Sequence, residues 1–228
     1  MPDGAILDRL RGGLIVSVQA EADSVLNTPE TIALLALCAV RNGAMGVRVE
    51  GAARIAAVRA AVDAPIIGIV KRRHAGFEPY ITSTAAEIAE IARAGAHIAA
   101  FDATARPRPE GLRVAGLVEA ARTAGLLAMA DCSEASDAVD AIVAGADLVA
   151  TTLAGYTQAT HGRPLPALEL VSTIAAGHPF AVCEGGVANP GQATGAFAAG
   201  ASAVVVGTAI TGIDALVRRF AASAPSTT

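Results

Sequence analysis

The chain has 228 residues, of which 53% are hydrophobic and only 3% aromatic, so its core must be built from Ala, Val, Ile and Leu. The formal net charge of −4 argues against a nucleic-acid or anionic-membrane surface. No apolar run reaches the roughly 18 residues of a membrane span, and Met1–Arg11 lacks the apolar core of a secretory signal. The three cysteines show no metal-ligand spacing, so the reducing cytoplasm is the expected compartment.

Short apolar runs alternate along the chain with Ala-rich segments of helical period. The runs are continuous, as expected of strands that helices cover on both faces or as an outer ring. Strands are predicted at Gly13–Gln19, Met45–Glu50, Pro65–Lys71, His97–Asp102, Leu126–Asp131, Leu148–Leu153, Phe180–Glu184 and Ala203–Gly207. Helices are predicted near Thr28–Arg41, Ala52–Val62, Thr84–Ala94, Gly111–Thr123, Ser136–Ala144, Ala167–Ala176, Pro190–Ala199 and Thr211–Ala221.

This alternation predicts an α/β fold, namely a single (β/α)8 TIM barrel over residues 1–220. A doubly wound open sheet is the alternative, because the pattern does not give the order of the strands. No linker or shift in composition divides the chain. Residues 221–228 alone are predicted to form a disordered C-terminal tail.

Lys71 closes the apolar run Pro65–Val70 and is the only lysine of the chain. A long cationic side chain at the end of a buried strand is best accommodated at the mouth of a cavity. Unlike arginine, lysine can lose its proton near neutral pH when its surroundings are apolar. Lys71 is therefore a candidate acid/base or Schiff-base group.

Polar residues close nearly every predicted strand, whereas the opposite strand ends carry Ala, Gly and Pro. Catalytic groups of TIM barrels lie at the carboxyl ends of the strands. A site is therefore predicted there, with candidates at Gln19, Arg48, Glu50, Lys71, Asp102, Asp131, Thr151, Thr152 and Glu184. The alternative is that polar residues simply begin where strands end.

Glycine-rich turns follow the last two strands, at Glu184-Gly185-Gly186 and at Gly207-Thr208. Glycine lets the backbone approach a ligand, and amide groups at the start of a short helix bind anions. Phosphate sites of TIM barrels use this arrangement. A phosphate site is therefore predicted at these turns, with tight turns that bind nothing as the alternative.

Lys71 and Glu184 would lie on strands three and seven, across the barrel mouth from each other. One substrate carbon could then face an amine on one side and a carboxyl on the other. Proton removal on one face and return on the opposite face inverts a stereocentre. A buried Lys–Glu ion pair is the alternative. The loop after Lys71, with His74, Phe77 and Tyr80, is expected to be a mobile surface loop or a lid.

Over nearly its whole length the chain resembles the N-acetylmannosamine-6-phosphate 2-epimerase family of bacterial sialic-acid catabolism. The segments that carry the resemblance stand in the family's order: Gly13–Gln19, Val47–Gly51, Pro65–Arg72, Asp102–Thr104, Arg106–Pro109, Leu127–Ser133, Thr151–Thr157, Glu184–Gly185 and Val206–Ile210. The resemblance implies a TIM barrel that needs no cofactor. It also implies that N-acetylmannosamine 6-phosphate and N-acetylglucosamine 6-phosphate are interconverted through an enediolate.

The resemblance implies roles for matching residues: Lys71 and Glu184 as the catalytic acid/base pair, Gln19, Arg48 and Asp131 in the sugar site, and Gly185 and Gly207 in the phosphate cradle. Tyr156 follows strand six and is a further candidate to bind a sugar hydroxyl, with packing as the alternative. Family members commonly carry Arg or Lys where this chain has Gly186. The phosphate contact is therefore expected to be lost, or to move to backbone amides or another arginine.

The expected partner is a small phosphorylated sugar, and a homodimer is a possible assembly. Two other functions stay open. A Schiff-base aldolase acting on a phosphorylated sugar would use Lys71 to attack the carbonyl. A phosphosugar-binding protein on a barrel scaffold would bind its ligand without turnover.

Overall fold

The computed structural model describes residues 3–224. Its strands are Gly13–Val18 (β1), Gly46–Glu50 (β2), Ile66–Ile69 (β3), Ile98–Asp102 (β4), Leu127–Asp131 (β5), Leu148–Ala150 (β6), Ala181–Glu184 (β7) and Ala203–Val206 (β8). The strands are parallel and form a closed barrel in the order β1-β2-β3-β4-β5-β6-β7-β8. The predicted TIM barrel is confirmed, and the doubly wound open sheet is excluded.

The helices are Asp3–Leu10 (α1), Pro29–Arg41 (α2), Ala52–Ala61 (α3), Ala85–Arg93 (α4), Val114–Thr123 (α5), Ala135–Ala144 (α6), Leu168–Gly177 (α7), Pro190–Ala198 (α8), Thr208–Thr211 (α9) and Ile213–Ala221 (α10). A 3₁₀ turn lies at Pro109–Gly111. Of the predicted tail, residues 225–228 lie outside the described residues. Among the described residues, no helix is long and apolar enough to cross a membrane.

Strand side chains alternate between the barrel interior and the layer under the helices, as the pleat of a strand requires. On β3, Ile67 and Ile69 belong to the interior cluster, together with Leu127 and Leu148. Ile66 packs instead in the outer layer. The continuous apolar runs of the sequence therefore reflect burial on both faces.

Helix α1, which the sequence pattern did not predict, closes one end of the barrel. Its side chains Ile6 and Leu10 are 4% and 0% exposed and pack in the interior cluster with Ile15 and Phe180. These contacts cover the end where the strands begin. The carboxyl end of the strands is left open to a ligand.

Strands β3 and β6 end earlier than predicted, at Ile69 and Ala150. Strand β4 pairs with β5 over five positions but with β3 over only two, so β3 and β4 diverge towards the barrel mouth. Lys71 lies in this gap, two residues beyond β3, and forms an isolated antiparallel bridge with Ile81. Lys71 is therefore positioned by a loop and not by the barrel strand itself.

Candidate active site

A cavity of about 1060 Å³ opens at the carboxyl ends of the strands. Most of the site residues predicted from the sequence line the cavity, whereas Asp102, Asp131 and Thr151 do not. Those that line it are Gln19, Arg48, Glu50, Lys71, Thr152, Tyr156, Glu184, Gly185, Gly186, Gly207 and Thr208. The residues come from loops and strand ends all around the barrel. The closed topology thus brings together groups that are far apart in the sequence.

Glu184 is the last residue of β7, and its side chain is 13% exposed. Its Oε2 accepts a hydrogen bond of 2.8 Å from Arg48 Nη1 and one of 3.2 Å from Thr152 Oγ1. Thr151 Oγ1 donates to the carbonyl of Glu184 and accepts from its amide. Both the carboxylate and the backbone of Glu184 are therefore fixed by side chains of neighbouring elements.

Arg48 of β2 is 1% exposed and forms a bidentate pair with Asp131 at the end of β5. Its Nη1 and Nη2 donate to the two carboxylate oxygens at 3.0 Å and 2.6 Å. Asp131 is fully buried behind Arg48 and does not line the cavity, in contrast to the position that the resemblance implied. Its contacts make Asp131 a support for Arg48.

Thr152 joins the two carboxylates of this cluster. Its hydroxyl lies 2.6 Å from Asp131 Oδ1 and 3.2 Å from Glu184 Oε2. The sequence predicts Thr151 and Thr152 as site candidates at the end of strand six but assigns no particular role to either. Their position after a buried strand marks them as residues of the barrel mouth, and their partners became evident only from the closed ring.

The electrostatics of the cluster shift Glu184 towards its protonated form. Burial raises the pKa of Glu184 above its ordinary value, and the nearby Asp131 carboxylate adds to the rise, although the positive charge of Arg48 opposes it. Burial alone would lower the pKa of Arg48, but the carboxylates of Asp131 and Glu184 outweigh this effect and raise the pKa above its ordinary value. Arg48 therefore stays charged while it fixes the carboxylate.

Lys71 lies on the opposite wall of the cavity, where its side chain is exposed. Partial desolvation of the side chain lowers the pKa of Lys71, and the positive charge of Arg48 lowers it further, whereas Glu50 and Glu184 act in the opposite direction. Within residues 3–224, Lys71 forms no ion pair with a carboxylate, and the cation paired with Glu184 is Arg48. The alternative of a Lys71–Glu184 ion pair is therefore not what the structure contains.

The glycine turns that follow β7 and β8 also line the cavity. Gly185 and Gly186 have φ values of 103° and 73°, a left-handed conformation that side chains rarely adopt. A Cβ atom on Gly186 would lie 2.3 Å from Cβ of Leu165. Leu165 thus occupies the space that a basic side chain at position 186 would need.

Gln19 and Tyr156 border the cavity in different ways. Gln19 is half-buried, and its Nε2 donates to Ser17 Oγ at 2.7 Å. Its Oε1 is buried and has no hydrogen-bond partner in the described part of the protein. Tyr156 is 64% exposed at the rim. Arg219 of α10 also lines the rim, a contribution that the sequence analysis missed because α10 follows the last strand.

In the described range 3–224, no group of three or more His, Cys, Asp or Glu side chains is arranged to hold a metal ion. The groups that line the cavity include an amine, carboxyl groups, an amide side chain, guanidinium groups, a phenol and the backbone of two glycine turns.

A family model with the description "NanE: Putative N-acetylmannosamine-6-phosphate epimerase" matches residues 32–226 of the chain. The chain is similar to the "Putative N-acetylmannosamine-6-phosphate 2-epimerase" of Synechococcus elongatus, with 46% identity over 218 residues, which are 94% of each protein. Among solved structures, the N-acetylmannosamine-6-phosphate 2-epimerase from Clostridium perfringens is 35% identical, with a TM-score of 0.91 over 95% of each chain.

More distant solved structures share the fold alone. The tryptophan synthase α-subunit from Pyrococcus furiosus is 16% identical to this chain, with a TM-score of 0.64 and coverage of 90% of this chain and 91% of that one. At this identity a TIM barrel says nothing about chemistry, because one barrel scaffold carries many reactions.

Proposed function

The chain belongs to the family of N-acetylmannosamine-6-phosphate epimerases, and from this premise we propose that it interconverts N-acetylmannosamine 6-phosphate and N-acetylglucosamine 6-phosphate. Named after the N-acetylglucosamine 6-phosphate side of the reaction, the proposed activity is that of an N-acylglucosamine-6-phosphate 2-epimerase. Its proposed place is in sialic-acid catabolism. The observation that carries the proposal is the amine of Lys71 and the carboxyl of Glu184 on opposite walls of one cavity.

The reaction needs a proton to leave C2 on one face of the sugar and a proton to arrive on the other. The C2 proton lies α to the aldehyde of the open-chain sugar, so its removal places the electron pair on the carbonyl oxygen as an enolate. Because C2 carries the acetamido nitrogen and no hydroxyl, this enolate replaces the enediolate expected from the resemblance. One of Lys71 and Glu184 removes this proton and the other delivers a proton to the opposite face. The carbonyl reforms, and the configuration at C2 is inverted.

The pKa values of the two groups suit both directions of this exchange. A lysine acts as a base only when neutral, and the pKa of Lys71 is lowered. A carboxyl group acts as an acid only when protonated, and the pKa of Glu184 is raised. Shifts in these two directions increase the fraction of neutral Lys71 and of protonated Glu184 at a given pH.

We place the substrate phosphate at the turns Gly185–Gly186 and Gly207–Thr208. Backbone amides at such turns bind phosphate in other TIM barrels. Their location on β7 and β8 leaves the sugar chain to extend across the barrel mouth between Lys71 and Glu184. Gln19 and Tyr156 lie along this path and are proposed to contact the sugar hydroxyl or acetamido groups.

The decisive experiment incubates the protein with N-acetylmannosamine 6-phosphate in D2O and follows C2 by NMR. Epimerase activity gives N-acetylglucosamine 6-phosphate with deuterium at C2. In Lys71→Arg, which keeps the charge but cannot release its proton, turnover is expected to fall about 10²- to 10⁴-fold. Folded wild-type protein that gives neither label nor epimer overturns the proposal.

The same samples separate the two other candidate functions. A Schiff-base aldolase would be trapped on its single lysine by borohydride, and mass spectrometry would place the adduct on Lys71. A phosphosugar-binding protein would bind the substrate without turnover, and Lys71→Arg would then leave no activity to lose. Deuterium at C2 without a trapped adduct distinguishes proton transfer from both.

We also propose a homodimer and a cytoplasmic location. Ile213, Val217 and Phe220 of α10 are 43%, 60% and 72% exposed, an apolar stripe of the kind that marks protein contacts. Sedimentation of Val217→Asp as a monomer beside a dimeric wild type would support this contact, and a monomeric wild type would overturn it. All three cysteines are free thiols, as proteins of a reducing compartment keep them.

A further inference from the structure

Lys71 is positioned by a short segment that fills the gap between β3 and β4. This segment, Tyr80–Thr82, is called the wedge below. On one side its Tyr80 carbonyl accepts from the amide of Arg72 at 2.8 Å. On the other side its Ile81 carbonyl accepts from the amide of Asp102 at 3.0 Å. The wedge thus takes the place of the missing β3–β4 pairing at the level of Lys71.

Thr82 is the residue of the wedge that holds the peptide before Lys71. Its amide donates to the Val70 carbonyl at 2.8 Å, and its Oγ1 accepts from the Val70 amide at 3.1 Å. The amide and the carbonyl of Val70 are therefore both hydrogen-bonded to Thr82. Val70 immediately precedes Lys71 in the chain.

Thr82 holds this position in a strained conformation. Its φ is 45°, a left-handed value that is unfavourable for a β-branched residue, and its side chain is fully buried. The next two amides, of Ser83 and Thr84, donate to Oε2 of the buried Glu87 in the first turn of α4. Strain of this kind persists where the surrounding structure over-determines it, and it is concentrated at functional sites.

A second non-glycine residue of the chain has a positive φ but no contact with the cavity. Glu110 is the other non-glycine residue of the described range with a positive φ, at 62°. It is exposed in the 3₁₀ turn before α5 and lines no part of the cavity. Thr82 differs because its strained backbone is buried and is bonded to the peptide that carries Lys71.

We propose that Thr82 is a positioning residue, whose strained backbone and hydroxyl fix the Val70–Lys71 peptide and so set where the Lys71 amine lies in the cavity. This inference rests on the proposed function for the meaning of that position, since the amine is the group that exchanges a proton with C2. A threonine with a purely structural role would stabilise the loop without affecting the amine.

Three substitutions of Thr82 and one control at Glu110 separate these roles. Thr82→Ser keeps the hydroxyl and is expected to stay within about threefold of wild-type kcat. Thr82→Gly removes the hydroxyl and relieves the positive φ, and Thr82→Val removes the hydroxyl but keeps the branched shape. Both are expected to lose about 10- to 100-fold in kcat with little change in KM, because misplacement of a reacting group costs rate and not phosphate binding. Glu110→Gly relieves strain elsewhere and is expected to leave the kinetics unchanged.

A second measurement is independent of activity. The chain has a single lysine, so reductive methylation with ¹³C-formaldehyde labels only Lys71 and the terminal amine. An NMR titration of this label reports the surroundings of the amine, which include Arg48 and Glu50 on β2, Arg54 on α3 and Glu184 on β7. In Thr82→Gly and Thr82→Val the titration is expected to move towards that of free dimethyl-lysine, and in Thr82→Ser it is expected to stay at the wild-type position.

The outcomes are distinct from those of the epimerase test. If the wild type epimerises its substrate but a folded Thr82→Gly or Thr82→Val variant keeps the wild-type titration and kcat, the positioning role is overturned. If the wild type has no epimerase activity, the proposed function fails, and the titration still decides whether Thr82 places the amine. If Thr82→Ser loses as much kcat as Thr82→Val, the role assigned to the hydroxyl is also contradicted.

Discussion

The two members of the proposed acid/base pair are held in different ways. Glu184 ends its strand, and its carboxylate is fixed by the charged Arg48 and the hydroxyl of Thr152. Lys71 lies beyond its strand, and across residues 3–224 its amine has no carboxylate partner within ion-pair distance. One group is held by its side chain and the other through its backbone.

The difference follows from burial. A carboxylate that is 13% exposed needs compensating partners, because a buried charge without them costs more than the fold can supply. An amine exposed at the cavity needs none, and its position depends on the backbone that carries it. We infer that the Glu184 side of the site is coupled to stability and that the Lys71 side is coupled mainly to rate.

The largest expected effect compares the two cations of the cavity. Arg48→Met leaves the buried carboxylates of Asp131 and Glu184 facing each other without a positive charge, so the free energy of unfolding should fall by about 3–5 kcal/mol. Lys71→Met removes an exposed, unpaired amine and should change stability by less than about 0.5 kcal/mol. Urea unfolding of both variants measures the difference.

Equal stabilities for Arg48→Met and Lys71→Met would contradict the comparison, because the buried cluster would then contribute nothing beyond an exposed charge. Activity serves as the converse measurement. Lys71→Met should be inactive although it is as stable as the wild type, which separates the loss of a reacting group from the loss of the fold.

Much of this arrangement was predictable from the sequence. The barrel was predictable from the eight buried strands. The cavity was predictable from the polar residues and glycine turns at the strand ends, because the carboxyl ends of parallel strands meet at one mouth. The buried state of Asp131 was not predictable, since it depends on Arg48 reaching across the ring from β2 to β5. A strand end gives the level of a side chain but not its partner.

The wedge was missed for a related reason. The loop after Lys71 was expected to be a mobile surface loop or a lid, yet Ile81 is 5% exposed and packs in the barrel interior. Its burial depends on the divergence of β3 and β4, which is a property of the ring and leaves no local pattern. His74 is likewise tied to α4, through Glu87 at 2.9 Å.

A second prediction tests how tightly the Glu184 side is packed. Gly186→Ala places a Cβ 2.3 Å from Leu165 at a φ of 73°, whereas Gly162→Ala has a similar φ of 80° and no atom within 4 Å. Both variants bear the cost of the positive φ, so their difference isolates the clash. Gly186→Ala is expected to be less stable than Gly162→Ala by about 1–3 kcal/mol in urea unfolding.

Leu165→Gly removes the Cβ atom that causes the clash, so it should recover most of the lost stability when combined with Gly186→Ala. If the two glycine variants are equally stable, the turn after β7 has room for a side chain. The absence of a basic residue at position 186 would then need another explanation than Leu165.

The smallest expected effect is a dependence of stability on pH, with different windows for the two groups. Because the pKa of Glu184 is raised from 4.5 to about 7 in the folded protein, its contribution to stability is present below about pH 4.5 and is lost as the pH rises through about 7. Glu184→Gln should therefore gain stability relative to the wild type across this window, by an amount on the order of 1 kcal/mol.

Lys71 has the opposite sign and a different window. Its pKa is lowered from 10.5, so its contribution is present above that value and is lost as the pH falls through the lowered pKa. Lys71→Met should gain on the wild type as the pH falls from about 10.5 through the lowered pKa, whereas Glu184→Gln should gain as the pH rises. Thermal unfolding of the three proteins across both windows measures the curves. A flat Glu184→Gln difference would mean that Arg48 fully offsets the burial of the carboxylate, and the acid role of Glu184 would then lose its physical basis.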